Sequence, residues 1–109
     1  MIIAIDYDNT IALESRLADY GQTGSEIPNI PLINKLIEYR KKGHKLILWT
    51  CRGGEWLIEA IEFCKYYGLE FDAINENILG IHYKNVSCKV VADLYIDDKN
   101  MLIDDFIKD

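Results

Sequence analysis

An isoleucine-rich run, Ile2 to Ile5, that stops at two aspartates one residue apart constrains this chain more than any other feature. A short apolar run of this kind reads as a buried strand, and Asp6-Tyr7-Asp8-Asn9-Thr10 is the polar segment at its carboxyl end. In an open parallel α/β sheet that edge is where ligands bind. Both carboxylates reach one site only if the chain turns at Tyr7, and Asn9-Thr10 suits such a turn. A strand that runs into a polar turn would explain an isolated Asp-x-Asp equally well, so the rest of the chain has to decide.

From Pro31 to Lys42 the pattern predicts a helix. Pro31 suits the first turn, Leu32, Ile33, Leu36 and Ile37 form an apolar face, and Lys41-Lys42 followed by Gly43 mark the end. Lys45 to Trp49 then reads as a second buried strand, ending at Thr50-Cys51-Arg52-Gly53-Gly54. A second helix is predicted over Glu55 to Tyr67, with Leu57, Ala60, Ile61 and Cys64 on one face and Gly68 just beyond. The aromatic residues Phe63, Tyr66 and Tyr67 are expected to fill core and groove. Glu70 to Ile74 gives a weaker third strand, and Leu94 to Ile96 a fourth that ends in Asp97-Asp98. Between Thr10 and Ile30 weak helical patterning over Ile11 to Tyr20 gives way to loop. Asn75 to Ser87 reads as loop, Lys89 to Ala92 as a short helical turn, and Leu102, Ile103, Phe106 and Ile107 have near-helical spacing. Strands alternating with helices imply right-handed crossovers and a parallel sheet covered on both faces: a small doubly wound, Rossmann-like α/β three-layer sandwich.

Composition narrows the function. At 109 residues the chain is expected to form one domain spanning 1–109, and with half its residues apolar and 28% charged it is neither disordered nor membrane-bound. Asp6 interrupts the N-terminal apolar run with no basic region before it, so a secretory signal is not expected and a cytosolic protein is. Cys51, Cys64 and Cys88 are odd in number and lack Cys-x-x-Cys spacing, against a disulfide framework or a zinc site. His44 and His82 stand alone. A net charge of −6 disfavours a nucleic-acid footprint built on backbone phosphates, while a cluster of that charge could hold a cation.

Polar groups close three of the expected strands: Asp6 and Asp8, Thr50 and Arg52, Asp97 and Asp98. Parallel strands bring these ends to one sheet edge. Four carboxylates there repel one another unless a cation or proton compensates them, and hard oxygen ligands without a His or Cys cluster favour Mg²⁺. Such a site suggests a phosphate substrate. Thr50 could donate its hydroxyl, backbone N–H groups near Gly53-Gly54 open a helix, and a lysine such as Lys89 could complete the electrostatics.

These residues resemble the pattern of the haloacid dehalogenase superfamily of phosphotransferases: a strand ending in Asp-x-Asp-x-Thr, a strand ending in Ser or Thr, a lysine, and a strand ending in paired acids. Asp6 to Thr10, Thr50, Lys89 and Asp97-Asp98 supply all four in order, across nearly the whole chain. The resemblance implies a Mg²⁺-dependent phosphatase in which Asp6 is the nucleophile forming an aspartyl-phosphate. It gives Asp8 the role of the acid that protonates the leaving group and then activates water. By the same resemblance Thr50 holds the phosphoryl oxygens and Lys89 steadies Asp6, with Lys84 as the fallback lysine. Asp98 is the preferred direct metal ligand beside Asp6 and the Asp8 carbonyl, with Asp97 bonding to water or Lys89. Arg52 is expected to be structural or on the substrate side. Asn9 stands where the family most often has glycine.

Two other readings compete. A signalling receiver module uses similar residues but places its phosphorylated aspartate after a central strand, the reverse of the order here. A binding or regulatory protein that keeps the fold without turnover is the second. Members of the superfamily that act on small metabolites carry a cap domain. Here Ile11 to Ile30 offers 20 residues and Asn75 to Cys88 only 14, neither enough for a core of its own. The expectation is a capless site with at most a flap. Such a site suits a nucleotide, a nucleic-acid end or a phosphoprotein, or else a second subunit serving as the cap. Asp97-Asp98-Lys99 also looks like the acidic pair of polynucleotide-end phosphatases.

Overall fold

The computed structural model describes residues 1–13, 27–76, 78, 92–96 and 106–107. Its centre is β1 (Ile2–Ile5), paired in parallel with β4 (Lys45–Leu48) on one side and β6 (Leu94–Ile96) on the other. Beyond β4 lies β5 (Ala73–Ile74), giving the order β5-β4-β1-β6. A two-residue antiparallel pair, β2 (Ala12–Leu13) with β3 (Ile27–Pro28), stands apart from this sheet. Helix α1 (Ile30–Lys41) joins β3 to β4, and α2 (Gly54–Tyr66) joins β4 to β5. This is the parallel, Rossmann-like α/β fold that the alternation of apolar runs implied.

Alternation along each strand sorts the core into two faces. Ile3 and Ile5 of β1, Leu46 and Leu48 of β4 and Ile96 of β6 pack with Leu32, Ile33 and Leu36 of α1 and Ala60 and Cys64 of α2. Ala4, Ile47 and Ala73 point the other way, among Ile2, Trp49, Tyr95, Ile78 and Ala92. Both described helices therefore cover one face, because β1 to β4 and β4 to β5 step in the same direction across the sheet. Residues 77 and 79–91 of the connection from β5 to β6 lie outside the described residues, and with them most of the expected turn from Lys89 to Ala92.

The helix boundaries follow from local chemistry. Asn29 caps α1, its side chain accepting from the Leu32 N–H at 3.4 Å while its own amide donates to the Thr10 carbonyl at 3.3 Å. Arg40 and Lys41 complement the last turn, and Gly43, at φ +97°, supplies the left-handed residue beyond it. Two expectations change. Ala12 and Leu13 are extended rather than helical, because the Leu13–Ile27 and Ala12–Pro28 pairing overrides weak local patterning. Tyr66 lies 83% exposed at the end of α2, on the side away from the Ala60–Cys64 face, so only Phe63 and Tyr67 pack inward. Phe106 is buried against Tyr39, with ring centroids 5.3 Å apart, as the apolar spacing near the end of the chain suggested.

Two aspartates sit at strand entries on the amino edge of the sheet. Asp72 donates its N–H to the Leu46 carbonyl, and its carboxylate accepts the Leu46 N–H, both at 2.8 Å. Asp93 does the same to Ile2, at 2.8 and 2.6 Å. Partial burial works against ionising Asp72. The Leu46 N–H and the Arg40 guanidinium, 3.2 Å away, outweigh it and hold the carboxyl below its ordinary value. A depressed folded value stabilises the fold above the unfolded value and loses that contribution as pH falls through the folded one. Urea midpoints of the wild type should accordingly fall more steeply below about pH 4 than those of Asp72→Asn. Parallel pH profiles would contradict this. Among the described residues no helix is long and apolar enough to cross a membrane.

Candidate active site at the carboxyl edge of the sheet

The four strands of the sheet end level with one another. The Asp6 N–H donates to the Ile96 carbonyl at 2.9 Å, the Trp49 N–H to Ile5 at 2.9 Å, and the Asn75 N–H to Leu48 at 2.8 Å. Beyond Ile5 the chain does turn. The Tyr7 carbonyl accepts N–H groups from Thr10, Ile11 and Ala12, and Asn9 adopts φ +61°. Asparagine is among the few residues with a side chain that enter this left-handed region readily, so it can stand where glycine is commonest. The turn carries Asp6 and Asp8 to the same edge. Asp6 Oδ1 accepts the Tyr7 N–H at 2.8 Å, which fixes that carboxylate on the strand end.

Thr50 follows β4 and is held from both sides. Its N–H donates to Asn75 Oδ1 at 2.8 Å, and its Oγ1 accepts the Arg52 N–H at 3.2 Å, leaving the hydroxyl proton to be donated elsewhere. Asn75 holds this position at φ +53°, directly after β5. Sequence reasoning passed over it. The available signal was an asparagine, tolerant of left-handed backbone, immediately after an apolar pair.

Arg52 is turned inward. It is 6% exposed, and its guanidinium grips Asp8: Nη2 reaches Oδ1 at 2.8 Å and Nε reaches both oxygens at 3.2 Å. Nη1 donates to the Trp56 carbonyl in the first turn of α2, and the group lies 4.6 Å from the Tyr7 ring centroid. Leaving either charge of such a buried pair alone costs about 3 to 5 kcal/mol. Tyr7 is itself fully buried and meets Phe63 edge to face at 5.7 Å. Thr10 is buried too, and its hydroxyl finds no hydrogen-bond partner among the described residues.

Ala4, Asp6, Trp49, Thr50, Cys51, Tyr95 and Ile96 line a shallow cleft of about 280 Å³ at this edge. It brings Asp6 and Thr50 to one concavity, with Asp8 and Arg52 on the adjoining turn. Lys89, Asp97 and Asp98, together with the fallback Lys84, lie outside the described residues; in sequence Asp97 directly follows Ile96, the last residue of β6. Among the described residues no three His, Cys, Asp or Glu side chains gather to hold a metal ion. The described oxygen donors for one are Asp6 and Asp8.

A solved structure of a conserved protein from Bacteroides thetaiotaomicron is similar to this chain at a TM-score of 0.72 and 44% identity, covering 92% of this chain and 77% of that one. No family model matches the chain, and no curated protein matches it.

Proposed function

We propose for this chain, which belongs to the family of that conserved Bacteroides thetaiotaomicron protein, the activity of a Mg²⁺-dependent phosphatase of haloacid dehalogenase type, acting in the cytosol on a phosphate monoester. The observation that carries the reading is the turn at Tyr7, which brings Asp6 and Asp8 to one strand end beside Thr50.

Asp6 attacks phosphorus, and the bond from phosphorus to the ester oxygen breaks. Asp8 gives its proton to the departing alkoxide, so an aspartyl-phosphate and an alcohol result. Water then attacks the same phosphorus, Asp8 takes the water's proton, and the bond between Asp6 and phosphorus breaks to release inorganic phosphate. Thr50 donates its hydroxyl to a phosphoryl oxygen, and Lys89 completes the charge around it. The donor types suit Mg²⁺, since Asp6 in the cleft and Asp8 beside it offer hard oxygens, and among the described lining residues Cys51 is the one soft ligand. Asp6, the Asp8 carbonyl and Asp97 or Asp98 would hold the ion. When bound, it neutralises phosphate charge and keeps Asp6 ionised.

Release of inorganic phosphate from a phosphorylated oligonucleotide, a phosphopeptide and small sugar phosphates, with and without Mg²⁺, tests the proposal. Metal-dependent turnover of at least one ester is expected, with specificity constants favouring the bulky substrates at an open site. No turnover of any of them would end the reading.

A further inference from the structure

Building on the phosphatase reading, we infer that Arg52 is a positioning residue for Asp8, acting on the substrate through that carboxyl group rather than by touching the phosphate. Each nitrogen of the guanidinium has a partner. Nη2 and Nε hold Asp8, Nη1 is on the Trp56 carbonyl, and one flat face meets the Tyr7 ring. With 5% of its side chain exposed, against 12% for Asp8, it is less open to a substrate than the carboxyl group it holds.

The grip is also asymmetric. Oδ1 of Asp8 takes the short Nη2 contact and Nε as well, and Oδ2 takes Nε at 3.2 Å. The planar fork therefore anchors Oδ1 and fixes the plane in which the carboxyl group meets the leaving group. A lysine ammonium offers a point charge and cannot set that plane. The backbone of Arg52 holds Thr50 Oγ1 in addition, a contact that substituting the side chain leaves in place.

The test compares Arg52→Met, Arg52→Lys, Asp8→Asn and the Asp8→Asn/Arg52→Met double variant in the full chain with Mg²⁺. The readout is single-turnover leaving-group release from an aryl phosphate, whose phenolate needs little protonation, and from a simple alkyl phosphate. Arg52→Met should slow the alkyl ester about 100-fold or more and the aryl ester less than about tenfold, with KM little changed, the same signature as Asp8→Asn. Arg52→Lys should fall between wild type and Arg52→Met on the alkyl ester. In the Asp8→Asn background, Arg52→Met should change either rate by less than about twofold, because its route of action is already gone.

If Arg52→Met alone unfolds, the comparison of Asp8→Asn with the double variant still decides, since the double variant strands no buried charge. Equal losses on both esters with a raised KM, or additive losses in the double variant, overturn the proposal while leaving the phosphatase reading intact. A wild type that turns over neither ester overturns both.

Discussion

Asp6→Asn is expected to reduce phosphate release to background and to remove the phospho-enzyme that the proposed mechanism requires of acid-quenched wild type, read by mass spectrometry. The substitution is clean for a structural reason. Asparagine keeps the Oδ1 that accepts the Tyr7 N–H, so this contact at the strand end survives while the proposed nucleophilic carboxylate is lost. Under the proposed mechanism the effect is the largest open to a single substitution, because covalent catalysis through this residue would have no substitute once it is gone. Asp8→Asn should differ in kind. It slows leaving-group departure and hydrolysis of the intermediate, so a phosphoryl adduct accumulates on Asp6 with aryl esters. An adduct on any other residue refutes the assignment.

Tyr7→Ala is expected to cost about 3 to 5 kcal/mol of stability in urea unfolding. Tyr7 separates the two aspartates, yet its ring is fully buried, meets Phe63 of α2 edge to face, and lies against the Arg52 guanidinium. Truncation removes the ring from the core and withdraws the surface on which Arg52 rests. Turnover of alkyl esters should fall as well, through loosened Asp8. Tyr7→Phe keeps both ring contacts and should lose less stability and rate than Tyr7→Ala. A loss below about 1 kcal/mol for Tyr7→Ala would mean that the ring contributes little to the core.

What could be read from the sequence was whatever announces itself locally. Both helices were legible to within one residue at each end, because a 3.6-residue apolar repeat, Pro31 and the stops at Gly43 and Gly68 are signals carried by neighbouring residues. The strands β1, β4 and β6 were legible as bounded apolar runs, and the site's dependence on their ends came with them. β2 and β3 were not, since two residues have no periodicity and their pairing joins positions separated by the whole segment between Leu13 and Ile27. The expected third strand from Glu70 shrank to Ala73–Ile74, its entry set by a side-chain contact of Asp72. The partner of Arg52 was illegible for the same reason. Asp8 lies 44 residues away, and only the sheet brings the two together.

The paired contacts of Asp72 with Leu46 and of Asp93 with Ile2 have a consequence for the register of the sheet. Because side chains alternate in a sheet, sliding β5 or β6 by a single position would exchange its inward and outward residues. Strands of two and three residues have few ladder bonds of their own to resist that slip. The two aspartates lock the alignment from the amino edge, and for β5 the Asn75 contacts with Leu48 and Thr50 lock it again from the carboxyl edge. A slip of β5 would have to break the Asp72 contact at one edge and the Asn75 contact at the other together, so the shortest strand of the sheet is held by side chains that flank it.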